Sequence, residues 1–185
     1  MIKIKIQQQR QRAFTLIELL VAVALMGLVM VVSVSFFFNS LKARKKNVSL
    51  TSVKQNGNYA LSIISMMLRN AQEVSGACSL GMNEITILNK DRETTTFSCL
   101  GSNSPFNCSS GVSSQRIASY SASASRNDCL TASDISLSAC SFDCSRFNGT
   151  PDSIIVQFTL TKGNPSDIFG YTSQDFKTSV SLRSY

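Results

Sequence analysis

Two sets of side chains in this 185-residue chain have types and spacing suited to chemistry. The first is a lone carboxylate, Glu18, near the front of the apolar run 12–38, RAFTLIELLVAVALMGLVMVVSVSFFF. No charge follows it from Leu19 to Phe38, a stretch of about 30 Å as a helix, which matches the hydrocarbon core of a bilayer. An acid inside hydrocarbon costs on the order of 2.5–3.5 kcal/mol, so Glu18 is expected to serve a function and to have a partner. The second set is six cysteines, Cys78, Cys99, Cys108, Cys129, Cys140 and Cys144, all beyond the apolar run. An even number in a small exported domain reads as disulfides. A zinc site would need four of them at unusual spacing, because the chain has no histidine and no CxxC pair.

Catalytic groups are harder to assemble. A cysteine nucleophile would lack its histidine base. No GxSxG and no phosphate-cradling glycine loop occurs. Asp128, Asp134 and Asp143 lie in a serine-rich stretch and read as solvated turn acids. The chain is therefore not read as an enzyme, and no catalytic residue, metal or cofactor is expected.

Ahead of the apolar run, MIKIKIQQQRQRA carries Lys3, Lys5, Arg10 and Arg12 and no acid. A basic head before an apolar stretch stays cytoplasmic while the following chain crosses outward. At the far end Phe36, Phe37 and Phe38 stand where a secretory cut would need small residues, so the helix is expected to stay with the protein. The octapeptide Ala13-Phe14-Thr15-Leu16-Ile17-Glu18-Leu19-Leu20 resembles the class III signal of type IV pilins and of the pseudopilins of type II secretion. That resemblance covers about 25 residues. It implies that a prepilin peptidase cuts between Ala13 and Phe14 and methylates the new amine of Phe14. It also gives Glu18 the place of the family's glutamate, five residues after the cut. The family nearly always has glycine before the cut, and Ala13 departs from that.

Elementary chemistry agrees with the resemblance. Cutting before Phe14 would create an α-amine four residues from Glu18, on the same helix face. In a filament, as the family implies, Glu18 would instead meet the Phe14 amine of a neighbouring subunit. Paired in a water-poor core the two charges offset each other, whereas either alone is strongly destabilising, so the pair would set helix register.

Stepping along the chain, the helix is expected to continue beyond Phe38. From Leu41 to Ala71 there is no proline, and Leu50, Val53, Gly57, Ala60, Ile64, Met67 and Ala71 recur at three- or four-residue spacing. Lys54, Asn58, Ser62 and Arg69 fall on the opposite side. One helix over 14–71 would be about 87 Å long, apolar all round in its first half and amphipathic in its second. Met66 and Met67 read as core filler, and Gly27 and Gly57 as soft points. The stretch from Gln55 to Ala71 also resembles the second half of the helix in minor pilins of the W type and J-type pseudopilins.

After Gly76 short alternating segments predict strands: 84–88 and 94–100 around a turn at 89–92, then 153–161 and 175–182, with a loop over 163–171. Between Ser98 and Ser145 lie 16 serines and five of the six cysteines, read as a loop held by cross-links. Spacing does not choose among the many pairings. Cys78 with Cys99 is the pairing expected first, because it would staple the helix exit to the first strands. The expected fold class is α+β: a long N-terminal helix packed on an antiparallel β-sheet head, pilin-like. The expected organisation is a leader over 1–13, the long helix over 14–71 with its membrane and assembly segment at 14–38, and a head over 72–185 with the disulfide-rich loop at 98–145.

The formal charge of +7 invites a nucleic-acid reading that its distribution weakens. Four of 18 basic residues sit in the leader, and five more (Lys42, Arg44, Lys45, Lys46, Lys54) follow the apolar segment. Past residue 54 the count is nine basic to ten acidic. The 42–46 cluster reads as a solvated juxtamembrane stretch touching outer-leaflet phosphates, with DNA or a filament neighbour as rivals. The main reading is a prepilin, matured into a minor subunit of a type IV pilus or type II secretion pseudopilus. Its partners would be prepilin peptidase, other pilin subunits through the helix, and inner-membrane lipid before assembly. It would cross the cytoplasmic membrane once, head outside. The alternatives are a tip pilin that binds DNA or a surface, supported by Lys42–Lys46 and the scattered Arg116, Arg126 and Arg146, and a plain uncleaved membrane-anchored domain.

Overall fold

A computed structural model describes residues 14–99, 115–146 and 152–182. Helix α1 runs unbroken over Leu16–Asn70. Eight strands follow among the described residues: β1 Glu73–Ser75, β2 Glu84–Leu88, β3 Thr94–Ser98, β4 Ala118–Ser121, β5 Arg126–Cys129, β6 Ser136–Ser145, β7 Ser153–Lys162 and β8 Thr172–Ser181. They form a five-stranded sheet, β1-β2-β3-β4-β5, and a three-stranded sheet, β6-β7-β8, with every pairing antiparallel and between chain neighbours. The architecture is α+β and pilin-like, with two sheets where one was expected. Compact units divide the chain at Lys42 and Ala43, and the second unit takes the later half of α1 together with all the strands.

That later half is placed by its apolar stripe. The buried positions are Ser49, Val53, Gly57, Ala60, Ile64, Leu68 and Ala71, spaced by fours and threes as one helix face requires. Two of the expected positions shift by one residue: Ser49 and Leu68 are inside, while Leu50 and Met67 are half-buried. Met66 is exposed, so it does not fill the core; Met67 does pack against it. One continuous core joins this stripe to Ile85 and Ile87 of β2, Phe97 of β3, Phe142 of β6, and Ile154, Val156, Phe158 and Leu160 of β7.

Gly57 is more than a soft point. A Cβ built there would fall within the ring of Phe176 on β8. That ring is held in turn, stacked on Phe158 with centroids 5.3 Å apart. The absent side chain is what lets β8 lie close to α1. Gly57→Val is expected to destabilise the head by about 1–3 kcal/mol through overpacking. Thermal unfolding followed by circular dichroism in detergent would show a midpoint lowered by several degrees. Gly27→Val serves as the control, since nothing lies within 4 Å of a Cβ there.

The region 98–145 departs most from expectation. Its described part is not a loop, because it holds β4, β5 and β6. In β6 the inward residues are Leu137, then Phe142 and Cys144, with a bulge between Leu137 and Ala139. The bulge moves the inward phase from odd to even positions, which hides the alternation from a sequence reading. The segment Cys140–Cys144 accordingly is extended strand rather than a tight local loop.

Candidate functional site

The site begins where α1 begins. Thr15 precedes the first helical residue, and its amide and hydroxyl both donate to Glu18 Oε2 at 3.0 Å. The Glu18 amide donates back to Thr15 Oγ1 at 3.3 Å. This is a capping box, in which Thr15 and Glu18 satisfy donors that a helix start leaves unpaired. Its signal, T-x-x-E, stands in the sequence at 15–18, but attention to the charge alone passes over Thr15. Glu18 thus meets Thr15 of its own chain. The Phe14 nitrogen of the uncut chain is a peptide amide and carries no charge, so the anticipated ion pair can form only after cleavage.

Around Glu18 the helix presents a stripe of Phe14, Ile17, Val21, Ala22 and Leu25, which line an open groove of about 370 Å³. Spacings of three and four put these residues on one face, and Ala22 is the small side chain that leaves room. Every residue from Phe14 to Lys42 is exposed, including Leu19, Leu20, Met26, Leu28 and the three phenylalanines at 36–38. The most apolar window of this helix has a mean hydropathy of 2.7 and is long enough to cross a membrane. Its hydroxyls are satisfied internally: Ser33 Oγ donates to Val29 O at 2.8 Å and Ser35 Oγ to Val31 O at 3.1 Å. Such back-bonding removes the cost of bare hydroxyls in hydrocarbon.

A family model described as the prokaryotic N-terminal methylation motif matches residues 8–34. The match places a prepilin-type signal at the head of the chain and supports the pilin and pseudopilin family. No curated protein and no solved structure matches it. Such a motif implies processing by prepilin peptidase and assembly with other pilins. Together with the apolar helix it indicates a membrane-anchored pilin. Ala13 lies outside the described residues, as does Cys108.

In the head, disulfides join Cys78 to Cys144 and Cys99 to Cys140. The expected Cys78–Cys99 pairing is therefore wrong. Both cysteines belong to the side of the five-stranded sheet, Cys78 between β1 and β2 and Cys99 directly after β3, while Cys140 and Cys144 both lie on β6. The bridges run from one sheet to the other. Cys129 is disulfide-bonded as well. Main-chain bonds support the same seam, with Met82 and Phe142 exchanging amide–carbonyl bonds of 2.9 and 2.8 Å and the Cys144 amide donating to Ser79 O at 2.9 Å.

The acids once considered for catalysis are all committed to structure. Asp134 sits 2.6 Å from Lys162 Nζ, which also donates to Ser52 Oγ on α1 at 2.9 Å. The Lys162 hydrogen bond holds the Asp134 carboxyl below the ordinary aspartate range. Asp128 pairs with Arg126 at 2.9 Å, and Asp143 accepts from the Gly81 amide at 2.7 Å. Among the described residues no three of His, Cys, Asp and Glu converge as a metal-binding group.

The three arginines proposed for DNA are similarly engaged. Arg146 grips Asp152 with Nε and Nη2 and donates to Val74 O at 2.9 Å. Arg116 is partly buried and donates to Thr131 O. Arg126 is held by Asp128. Each guanidinium is engaged within the head, so these three add no support to the nucleic-acid reading.

Proposed function

We propose that this prepilin is cut between Ala13 and Phe14, methylated at the Phe14 amine, and assembled as a minor subunit of a type IV pilus or type II secretion pseudopilus. In this reading it is a structural subunit of the cytoplasmic membrane and then of a filament, with its head outside the cytoplasm, rather than an enzyme. The observation that carries the reading is the methylation motif over residues 8–34, centred on a capped helix start that exposes Glu18 in an apolar groove. That groove would receive the helix of a neighbouring subunit. The Phe14 amine of that neighbour would then replace Thr15 as the partner of Glu18. Two charges offset each other there at a depth where either alone is costly. The disulfide-stapled head would take the surface or the tip.

Mass measurement of the protein purified from membranes tests the first step. The expected mass lacks residues 1–13 and carries one added methyl group, located on Phe14 by fragmentation. An intact Met1 overturns the reading.

A further inference from the structure

β8 leaves one long edge of the head without a main-chain partner. The Leu182 amide donates to Asp152 O at 2.9 Å, continuing the register that β7 and β8 keep over ten pairs without a bulge. Antiparallel pairs alternate between exchanging two main-chain bonds and exchanging none, so the even-numbered residues of β8 are the ones bonded to β7. Ser173, Asp175, Lys177, Ser179 and Ser181 therefore aim their amides and carbonyls away from β7. All five are exposed, and among the described residues no main-chain bond reaches them from that side. One side chain does: Gln174 Nε2 donates to Asp175 O at 3.2 Å, an exposed local bond.

The other outer strands differ. β1 and β5 have three and four residues, and the far side of β6 meets Met82, Ser79 and Gln115. Long edges are usually blunted by proline, a bulge or an inward-pointing charge, because bare ladder groups recruit another strand. β8 has no proline and no bulge, and its inward Thr172, Phe176 and Val180 are buried and uncharged. Its two charges, Asp175 and Lys177, stand on the outer face, where Thr159 Oγ1 donates to Asp175 Oδ1 at 2.7 Å.

What would fit this edge can be read from its own sequence. Laid antiparallel against a second β8 about Phe176, TSQDFKTSVS sets Asp175 opposite Lys177 of the other copy, Ser173 opposite Ser179 and Gln174 opposite Thr178. Odd residues meet odd residues, so the edge-facing groups of Ser173, Asp175, Lys177 and Ser179 face partners with which each can exchange two bonds. Two crossed ion pairs result, and directly opposed opposite charges favour a strand pairing while like charges oppose it. Moving the axis by one residue either way would set Asp175 against Asp175 or Lys177 against Lys177, so charge selects the register.

We propose that the β8 edge is a homodimer interface: two copies join β8 to β8 antiparallel about Phe176, merging two three-stranded sheets into one of six strands. Such pairing involves only the second compact unit and is separate from the cleavage and filament assembly proposed above.

Full-length protein in detergent would be weighed by light scattering after size exclusion. Unlabelled and isotope-labelled copies, mixed and equilibrated, would be treated with a carbodiimide, which condenses an amine with a carboxylate into an amide with loss of water. A dimer is expected, with a mixed-isotope cross-link between the peptides that hold Asp175 and Lys177. Lys177→Asp opposes like charges twice and is expected to raise the dissociation constant about tenfold or more. Adding Asp175→Lys to it restores the dimer with the signs exchanged. Ser179→Pro removes an edge-facing amide but no bond to β7, and is expected to abolish the dimer with the circular dichroism spectrum unchanged. A wild-type monomer at every concentration up to about 0.1 mM overturns the proposal, whatever other strand the edge then accepts. So does a dimer that survives both Lys177→Asp and Ser179→Pro, because that association belongs to another surface. Association strengthened by Lys177→Ala marks the lysine as a guard against pairing and overturns it equally.

Discussion

Removing both described disulfides, by the paired changes Cys78→Ser with Cys144→Ser and Cys99→Ser with Cys140→Ser, is expected to leave the head unfolded or nearly so. The two bridges close loops of 66 and 41 residues. On the chain-entropy account each loop of that size restricts the unfolded chain by about 4 kcal/mol. The smaller loop is nested within the larger, so the two contributions are not independent, and the joint loss is less than their sum. Domains of this size commonly have only about 5–15 kcal/mol in total. Position strengthens the expectation. Both bridges cross from the side of the five-stranded sheet to β6, where the main-chain bonds among the described residues are few: the Met82–Phe142 exchange, Cys144 to Ser79 and Leu137 to Gln115. Losing the cross-links therefore leaves only the shared core and these few main-chain bonds to fasten sheet to sheet. Urea titration by circular dichroism would show the midpoint falling with each pair removed. An unchanged midpoint in the four-serine variant, with the loss of both bonds confirmed by mass, would falsify the structural role.

Glu18→Ala is expected to be inserted and cleaved yet to enter filaments at less than a tenth of the wild-type level. Breaking a buried charge pair costs on the order of 3–5 kcal/mol, well beyond a tenfold change in occupancy. Loss of the N-terminal cap alone would predict a smaller effect, about 0.5–2 kcal/mol. Glutamine separates the two accounts, since a capping box accepts Gln in place of Glu while an ion pair does not. Glu18→Gln should therefore fail in assembly as Glu18→Ala does. Filament fractions sheared from cells and blotted for the subunit would decide between them. If Glu18→Gln assembles normally, Glu18 acts as a helix cap and its pairing with the Phe14 amine is wrong.

Much of the fold was legible in residues whose signals are local. The uncharged run 19–38 can only be a long apolar helix, and EITIL and SIIVQFTLT alternate cleanly enough to locate β2 and β7. The turn at 89–92 is where the sequence placed it, with Arg92 in the left-handed region at φ 64°. Illegible were the strands whose inward faces are built from serine, alanine, asparagine and cysteine. β4, ASYS, and β5, RNDC, carry too little apolar area to announce themselves, and the bulge in β6 breaks its own period. Tertiary pairing overrides weak propensity in such segments.

The same division runs through the candidate site. By itself the sequence determined the membrane-length helix, the solitary Glu18 and the methylation motif, because hydrophobic length and a charge within it need no partner to be read. Only the tertiary structure decided which cysteines meet and why Gly57 must lack a side chain. Those depend on residues far apart in the chain, such as Cys78 and Cys144 or Gly57 and Phe176, coming within a few ångströms. Contacts of that kind are fixed by packing two sheets and a helix around one core, which no local spacing encodes.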